Sequence, residues 1–308
     1  MRWIRNVRTW VPKRYSQDEL LTIFGLKNHT LARRIFAKSA IEHRHTMIDP
    51  THPFSDNAHL QLPEFEEMLS HLTSRDQIIE VSNLPALPLK HRSLHSHLHG
   101  RWCPGAIYAL EMAAREPGRS SVLTVDINSQ LRWQPDFEDA NDVVAFALFG
   151  DGVACADVED VSATEAPAPR ILGFSYLHDR EASWVRYDQG KLFLNRDLPR
   201  QSLPLIESCI GKLLGEHGIA VKDVEHWIVH PGGRKILDNL GASLGIEERL
   251  NHSRAVLAEY GNIGASSLLF VLKEVMETRP TFGSYGLMVS FGPGPSEGFS
   301  AGCCLIQW

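Results

Sequence analysis

The sequence predicts an α/β fold in which helices pack on central sheets. Three observations predict it. Strand-length apolar runs and amphipathic helical stretches alternate along most of the chain, the pattern that builds layered α/β architectures. Each of the two parts of the chain carries its own set of such segments and closes on paired strands. The length, 308 residues, exceeds what one small core needs and suggests one large domain or two intimately packed ones.

The elements follow in order. Residues 16–25 read as a short helix, with Ser16 as N-cap, acidic residues in the first turn, apolar positions at Leu20, Leu21 and Phe24, and Gly25 as the stop. A second helix is expected over Thr30–Ser39. The stretch from Asp49 to about Pro63 is rich in His, Pro, Asp and Asn and reads as loop. Residues 64–72 suggest a short helix and Ile78–Val81 a short strand. Residues 83–101 carry two prolines and four histidines without a period, and no element is assigned to them. Pro104 suits the start of a helix whose apolar face runs through Ala106, Ile107, Leu110 and Ala114, and Pro117-Gly118 ends it. Val122–Ile127 is an apolar, β-branched strand. Residues 143–149 are an apolar run leading into Gly150-Asp151-Gly152, and 159–169 look like a surface loop and a natural boundary between halves. Strands follow at 171–177 and 191–195, a long amphipathic helix at about 202–217, and a strand at 226–229. Helices at 253–260 and 263–278 and two closing strands, 284–291 and 299–307, complete the chain.

Totals restrict the function. At 43% hydrophobic and 22% charged, the composition is that of a globular protein rather than a disordered or fibrous one. A formal charge of −6 and a pI near 6.2 argue against nucleic-acid binding. No window approaches the ~20 apolar residues of a membrane span. The N-terminal MRWIRNVRTWVPKRYS is basic but lacks the apolar core of a secretory signal, so the cytoplasm is the expected location. The five cysteines (Cys103, Cys155, Cys209, Cys303 and Cys304) are odd in number and irregular in spacing, with no C-x-x-C. Neither a disulfide framework nor a zinc site is expected, and each cysteine is either a small core hydrophobe or a reactive thiol.

Candidate chemistry gathers at a few positions. Cys103 sits directly before the proposed helix start, where the helix dipole and unpaired N–H groups would lower its pKa and favour thiolate; a buried structural cysteine is the alternative. His230 follows the apolar strand Trp227-Ile228-Val229 and opens His230-Pro231-Gly232-Gly233. A strand end is where α/β proteins expose catalytic groups, though a Pro-Gly turn also explains these residues. Asn262 precedes a small-residue helix start and reads either as an N-cap or as an amide donor beside a thioester carbonyl. Gly292 and Gly294, in Phe291-Gly292-Pro293-Gly294, are plain turn glycines or a backbone lining for a site, and Gly232 and Gly150 stand in the same position. His91, His95, His97 and His99 lack the carboxylate or cysteine partners of a known ligand spacing, so no metal site is expected.

Taken together, these segments resemble a known family. The run Trp227-Ile228-Val229-His230-Pro231-Gly232-Gly233, continuing to Ile236-Leu237-Asp238, is similar to the histidine motif of the chalcone-synthase-like (type III) polyketide synthases. Leu257-Ala258-Glu259-Tyr260-Gly261-Asn262, Phe291-Gly292-Pro293-Gly294 and Ala147-Leu148-Phe149-Gly150-Asp151-Gly152 fit the same family in the same order. The segment from Arg34 to His45 resembles the family's start, and Cys103–Leu110 looks like the nucleophile helix of the related ketoacyl synthase III enzymes. The resemblance implies a thiolase-like fold: two similar halves, residues 1–165 with the nucleophile and 166–308 with the histidine and asparagine, packed as an α-β-α-β-α sandwich with the first half shortened. It implies a Cys103–His230–Asn262 triad, Phe149 as gatekeeper between the coenzyme A tunnel and the cavity, and Lys38 and Arg44 as contacts for coenzyme A phosphates. It also implies acyl-coenzyme A and malonyl-coenzyme A as substrates, no metal or redox cofactor, and a homodimer or a hetero-oligomer with a related subunit.

Two departures from the family are visible. The chain is several dozen residues shorter, with the loss between His45 and Cys103. Trp102 stands where the family has a small glycine, and Pro104 replaces a small residue after the nucleophile. Three readings stay open on sequence alone: a condensing enzyme with a reshaped cavity, an acyltransferase that loads Cys103 and passes the acyl group to an amine or hydroxyl, and a degenerate subunit supporting a full-length partner.

Overall fold

The computed structural model describes residues 1–48, 71–72, 77–82, 94–99, 101–130, 136–160, 168–188, 191–295 and 297–308. The loop expected from Asp49 to Pro63, the helix expected from 64 except its last two residues, and most of 83–101 with His91 lie outside the described residues, as do 161–167 of the expected boundary loop.

In chain order the elements are β1 (Arg2–Trp10), β2 (Arg14–Ser16), α1 (Gln17–Ile23), α2 (Thr30–Lys38), β3 (His43–His45), β4 (Ile78–Ser82), β5 (Leu94–His99) and α3 (Gly105–Arg115). Next come β6 (Arg119–Ile127), α4 (Ala140–Leu148), β7 (Asp151–Asp160), β8 (Arg170–Asp179), β9 (Val185–Asp188), β10 (Lys191–Leu194), α5 (Leu198–Gln201) and α6 (Leu203–Glu216). The chain closes with β11 (Val224–Val229), α7 (Arg234–Leu244), α8 (Asn251–Tyr260), α9 (Ser266–Glu277), β12 (Tyr285–Pro293) and β13 (Phe299–Gln307). Local chemistry sets the ends. The Ser16 hydroxyl accepts the Glu19 N–H at 3.2 Å while the Glu19 carboxylate accepts the Ser16 N–H at 2.7 Å, a capping box that starts α1. Gly245, at φ +65°, closes α7 in the left-handed conformation that glycine adopts without steric cost.

Among the described residues nine strands form one sheet in the order β11-β12-β13-β8-β1-β7-β6-β4-β5. The same run of pairings occurs twice. β11 lies parallel to β12, with β13 and β8 following antiparallel; β4 lies parallel to β6, with β7 and β1 following antiparallel. β1 and β8 meet through Trp3 opposite Arg170. Helices α3 and α9 touch each other and touch strands of both runs, so they form a layer between them. Much of that layer is apolar: Ala106, Leu110, Leu268 and Val271 join Ile79, Val81, Ile228 and Met288 in one buried cluster. On the outer face of the second run, Ile210 and Leu213 of α6 and Leu237 of α7 pack against Trp227, Leu287 and Leu305.

This topology positions the site. A parallel pair needs a crossover, and the two crossovers hold the candidate residues. Cys103 lies at the start of α3 on the way to β6, while His230 and Asn262 flank α7 and α8 on the way from β11 to β12. One expectation is corrected here: α9 begins at Ser266 with Ala265 as its cap, so Asn262 is not its N-cap.

Candidate active site

Cys103 sits in the turn Trp102–Pro104 ahead of α3. The Gly105 N–H donates to Trp102 O at 2.9 Å, and the Ser290 hydroxyl donates to Cys103 O at 2.8 Å. Trp102 occupies the left-handed region at φ +45°, which costs a non-glycine residue about 1–3 kcal/mol and persists only where the surroundings impose it. The thiol rests against Gly292, where an added Cβ would lie 3.4 Å from Sγ. The expected lowering of the thiol pKa is not what this environment gives. The helix begins two residues further on and the thiol is buried, so desolvation pushes its pKa well above the ordinary value, and the charge of Asp126 adds in the same direction. Among the described residues the other four cysteines are core residues with no measurable exposure; Cys103 alone of the five lines the cavity described below.

His230 stands at the end of β11, its N–H donating to Val289 O at 2.8 Å. Its ring meets the edge of Phe291 at 5.5 Å between centroids. An added Cβ at Gly232 would lie 3.5 Å from His230 Nε2 and 2.9 Å from Phe291, so a side chain there would displace the ring. Burial lowers the His230 pKa to about 3, which leaves the imidazole neutral near pH 7. Its Nδ1 is buried without a hydrogen-bond partner among the described residues. Adjacent residues of β12 thus hold both groups: Phe291 borders the imidazole and Gly292 the thiol.

Asn262 is fixed through its backbone. Its N–H donates to Leu148 O at 2.9 Å and its carbonyl accepts Gly150 N–H at 3.1 Å, which makes a bridge with Phe149. Asn262 Oδ1 accepts the Gly264 N–H at 2.9 Å, leaving the side-chain NH2 as a donor for an occupant. Glycine is required at Gly261, at φ +70°, where an added Cβ would meet Leu148 O at 2.6 Å.

Cys103, His230 and Asn262 line one cavity of about 590 Å³ with Phe149, Gly232, Gly292 and Lys38. Buried residues (Cys103, His230, Asn262, Phe291) lie at its floor, and the exposed Arg34, Lys38, Arg196, Arg234 and Lys235 at its mouth. The sequence reading missed four of these five cations. Arg34 and Lys38 stand four residues apart on α2, hence on one helical face, and that spacing was the available signal. Two assignments are corrected. Arg44 is buried away from the cavity, its guanidinium donating to Phe149 O at 2.8 Å, to Phe146 O and to Gln17; desolvation lowers its pKa to about 9. It braces the loop that carries Phe149 and is not placed to meet a phosphate. Gly294 belongs to the turn between β12 and β13, its N–H on Gly298 O at 2.9 Å, and does not line the cavity. His95, His97 and His99 fall on β5, and among the described residues no group of three His, Cys, Asp or Glu could hold a metal ion.

Residues 187–299 match the C-terminal domain of chalcone and stilbene synthases. The 3,5-dihydroxyphenylacetyl-CoA synthase of Amycolatopsis orientalis is 27% identical, over 96% of this chain and 90% of its own length. The 1,3,6,8-tetrahydroxynaphthalene synthase of Streptomyces coelicolor is 34% identical over 56% of this chain and 47% of its own. The chain is similar to the type III polyketide synthases. The fold agrees: the crystal structure of the Streptomyces coelicolor type III synthase superposes with a TM-score of 0.80 at 22% identity, covering 99% of both chains. The thiolase-like α/β architecture is therefore that of the type III polyketide synthases. The match to the Amycolatopsis relative extends over 343 positions, more than this 308-residue chain has, so the relative carries insertions that this chain lacks. Among the described residues no helix is long and apolar enough to cross a membrane.

Proposed function

We propose that this chain is a condensing acyltransferase that loads an acyl group from acyl-coenzyme A onto Cys103 and extends it with malonyl-coenzyme A. One observation supports the residue roles above all others: Cys103, His230 and Asn262, from three separated segments, line the same cavity, with cations at its mouth. Lys38, Arg34, Arg234 and Lys235 suit the phosphates of coenzyme A, and the lining of the cavity by Phe149, bridged to Asn262, supports its reading as a gate.

The steps balance. His230, neutral before substrate arrives, takes the Cys103 proton as the sulfur attacks the thioester carbonyl; the proton leaves on the coenzyme A thiolate, and the acyl group remains on sulfur. Malonyl-coenzyme A then loses carbon dioxide. The electron pair of the broken C–C bond becomes an enolate whose oxygen accepts hydrogen bonds from Asn262 Nδ2 and from the N–H of the neutral His230 ring. The enolate carbon attacks the acyl-cysteine and expels the Cys103 thiolate, which takes a proton from water, and a 3-ketoacyl thioester two carbons longer is released. Every step is redox-neutral and calls on no metal. A homodimer in the cytoplasm is the setting we propose for it.

Intact-protein mass spectrometry after incubation with a panel of acyl-coenzyme A esters tests the reading. The expected result is a mass increase equal to the acyl group, absent from Cys103→Ala. Asn262→Ala should slow malonyl-coenzyme A decarboxylation more than loading. No adduct from folded protein with any ester would move the chain to the degenerate-subunit reading.

A further inference from the structure

Trp102 directly precedes the thiol and lines the same cavity. Its backbone, at φ +45°, adopts a conformation that glycine enters freely and a residue with a Cβ enters at a cost. An indole is therefore held beside Cys103 against its own backbone preference. The turn is pinned on both sides, by the Gly105 N–H on Trp102 O at 2.9 Å and by the Ser290 hydroxyl on Cys103 O at 2.8 Å. With the main chain fixed at both points, Trp102 cannot retreat as a unit to admit a larger occupant. Apolar residues, among them Leu148, Val185 and Phe299, also line the cavity, so it suits a hydrocarbon group. From this juxtaposition we infer that Trp102 sets the upper size of the acyl group that Cys103 accepts and confines loading to short acyl thioesters. The inference rests on the acylation reading above and specifies its substrate class.

Glycine is the residue this backbone favours, so Trp102→Gly removes the indole while easing the turn. Trp102→Phe trims the ring with the backbone demand unchanged, and provides a second reading should the glycine variant misfold. The full chain and both variants are incubated with saturated straight-chain acyl-coenzyme A esters from acetyl to dodecanoyl, and the rate of adduct formation is read by intact mass. The wild type should load the short esters and discriminate against the long ones. In Trp102→Gly the ratio of decanoyl to acetyl loading should rise by about tenfold or more, with Trp102→Phe between, given what a few methylenes are worth in an apolar pocket. The same chain-length ranking in wild type and variants, with adducts formed throughout, would overturn the role of Trp102 and leave Cys103 as nucleophile. No adduct in any of the three would overturn the acylation reading and this inference with it.

Discussion

The Ser290 hydroxyl is fully buried and makes its hydrogen bond to Cys103 O across 187 residues of sequence. Removing it leaves a buried carbonyl without its donor, at a cost of about 1–3 kcal/mol. Ser290→Ala should therefore melt a few degrees lower and load acyl groups roughly tenfold more slowly with little change in KM, because sulfur placement governs the bond-forming step. Ser290→Thr keeps the hydroxyl and should recover most of the rate; an alanine variant with unchanged kcat would remove Ser290 from the positioning machinery. His230 yields a prediction in pH. Its folded pKa is lowered to about 3 by burial, against an unfolded value of about 6.5. The unfolded state then binds a proton that the folded state refuses, so this contribution is intact above about pH 6.5 and is progressively lost as pH falls toward 3. Denaturant melts at pH 7.5 and 5 should show a smaller loss of stability for His230→Gln than for wild type. Equal losses would mean that the imidazole is solvated in the folded protein. A third consequence concerns the thiol: with its pKa held high by burial, Cys103 in the substrate-free protein should alkylate slowly with iodoacetamide at pH 7 and faster as pH rises.

At the scale of elements, the loop from α8 to α9 and the loop from α4 to β7 act as one unit. Asn262 N–H on Leu148 O and Gly150 N–H on Asn262 O tie them together, and Gly261 permits the approach. Gly261→Ala places a Cβ against Leu148 O in a left-handed backbone, and should lower stability by about 2 kcal/mol or more and displace Asn262. Thermal melts and malonyl-coenzyme A decarboxylation read the two effects; a folded variant with full decarboxylation would detach Asn262 from that step. Most elements were legible because their periods are clean. Helices α1 and α2 and every element from α6 to the C-terminus except α7 follow the apolar spacing. β1 was not legible, and the reason is physical. Asn6, at φ +49°, sits where the pairing of β1 with β7 shifts between Arg5 and Arg8. That bulge breaks the two-residue alternation, so Ile4 and Val7 pack on the same cluster. Helix α7 carries a readable spacing in Ile236, Leu237, Leu240 and Leu244, yet no element is assigned there from sequence, because the Pro-Gly-Gly turn obscures where it starts. For the site, the histidine and asparagine were visible as motifs. The burial of Arg44 and the pinned turn at Trp102 depend on contacts more than a hundred residues away, which local pattern does not carry.

For the whole molecule, β1 is the seam. It lies between β7 and β8 in the middle of the sheet, where the two runs of pairings meet. We take 1–165 and 166–308 as the two halves, but with α3 and α9 packed on strands of both they should unfold in one transition by every probe; two separated transitions would argue for independent halves. Arg8 fastens β1 to its own run. Its guanidinium donates to both oxygens of Asp157 on β7, each at 2.9 Å, and the carboxylate also accepts Ser121 Oγ from β6 at 2.9 Å and Asn6 Nδ2 at 3.1 Å. Asp157 is fully buried. Burial alone would raise its pKa, but the hydrogen bonds from Arg8 and Ser121 more than offset this and hold it below the ordinary value. A depressed carboxylate pKa contributes stability that is present above the unfolded value of about 3.9 and lost as pH falls through the folded one. Arg8→Met reverses the balance. The buried carboxylate loses its main partner, at a cost of about 2–4 kcal/mol near neutral pH, and burial then raises its pKa, so the folded variant takes up a proton more readily than the unfolded chain. The deficit of Arg8→Met against wild type should therefore be largest at pH 8 and shrink toward pH 5. A deficit independent of pH would show that the arginine contributes by packing its stem on the sheet, and that its charge is not what holds β1 to β7.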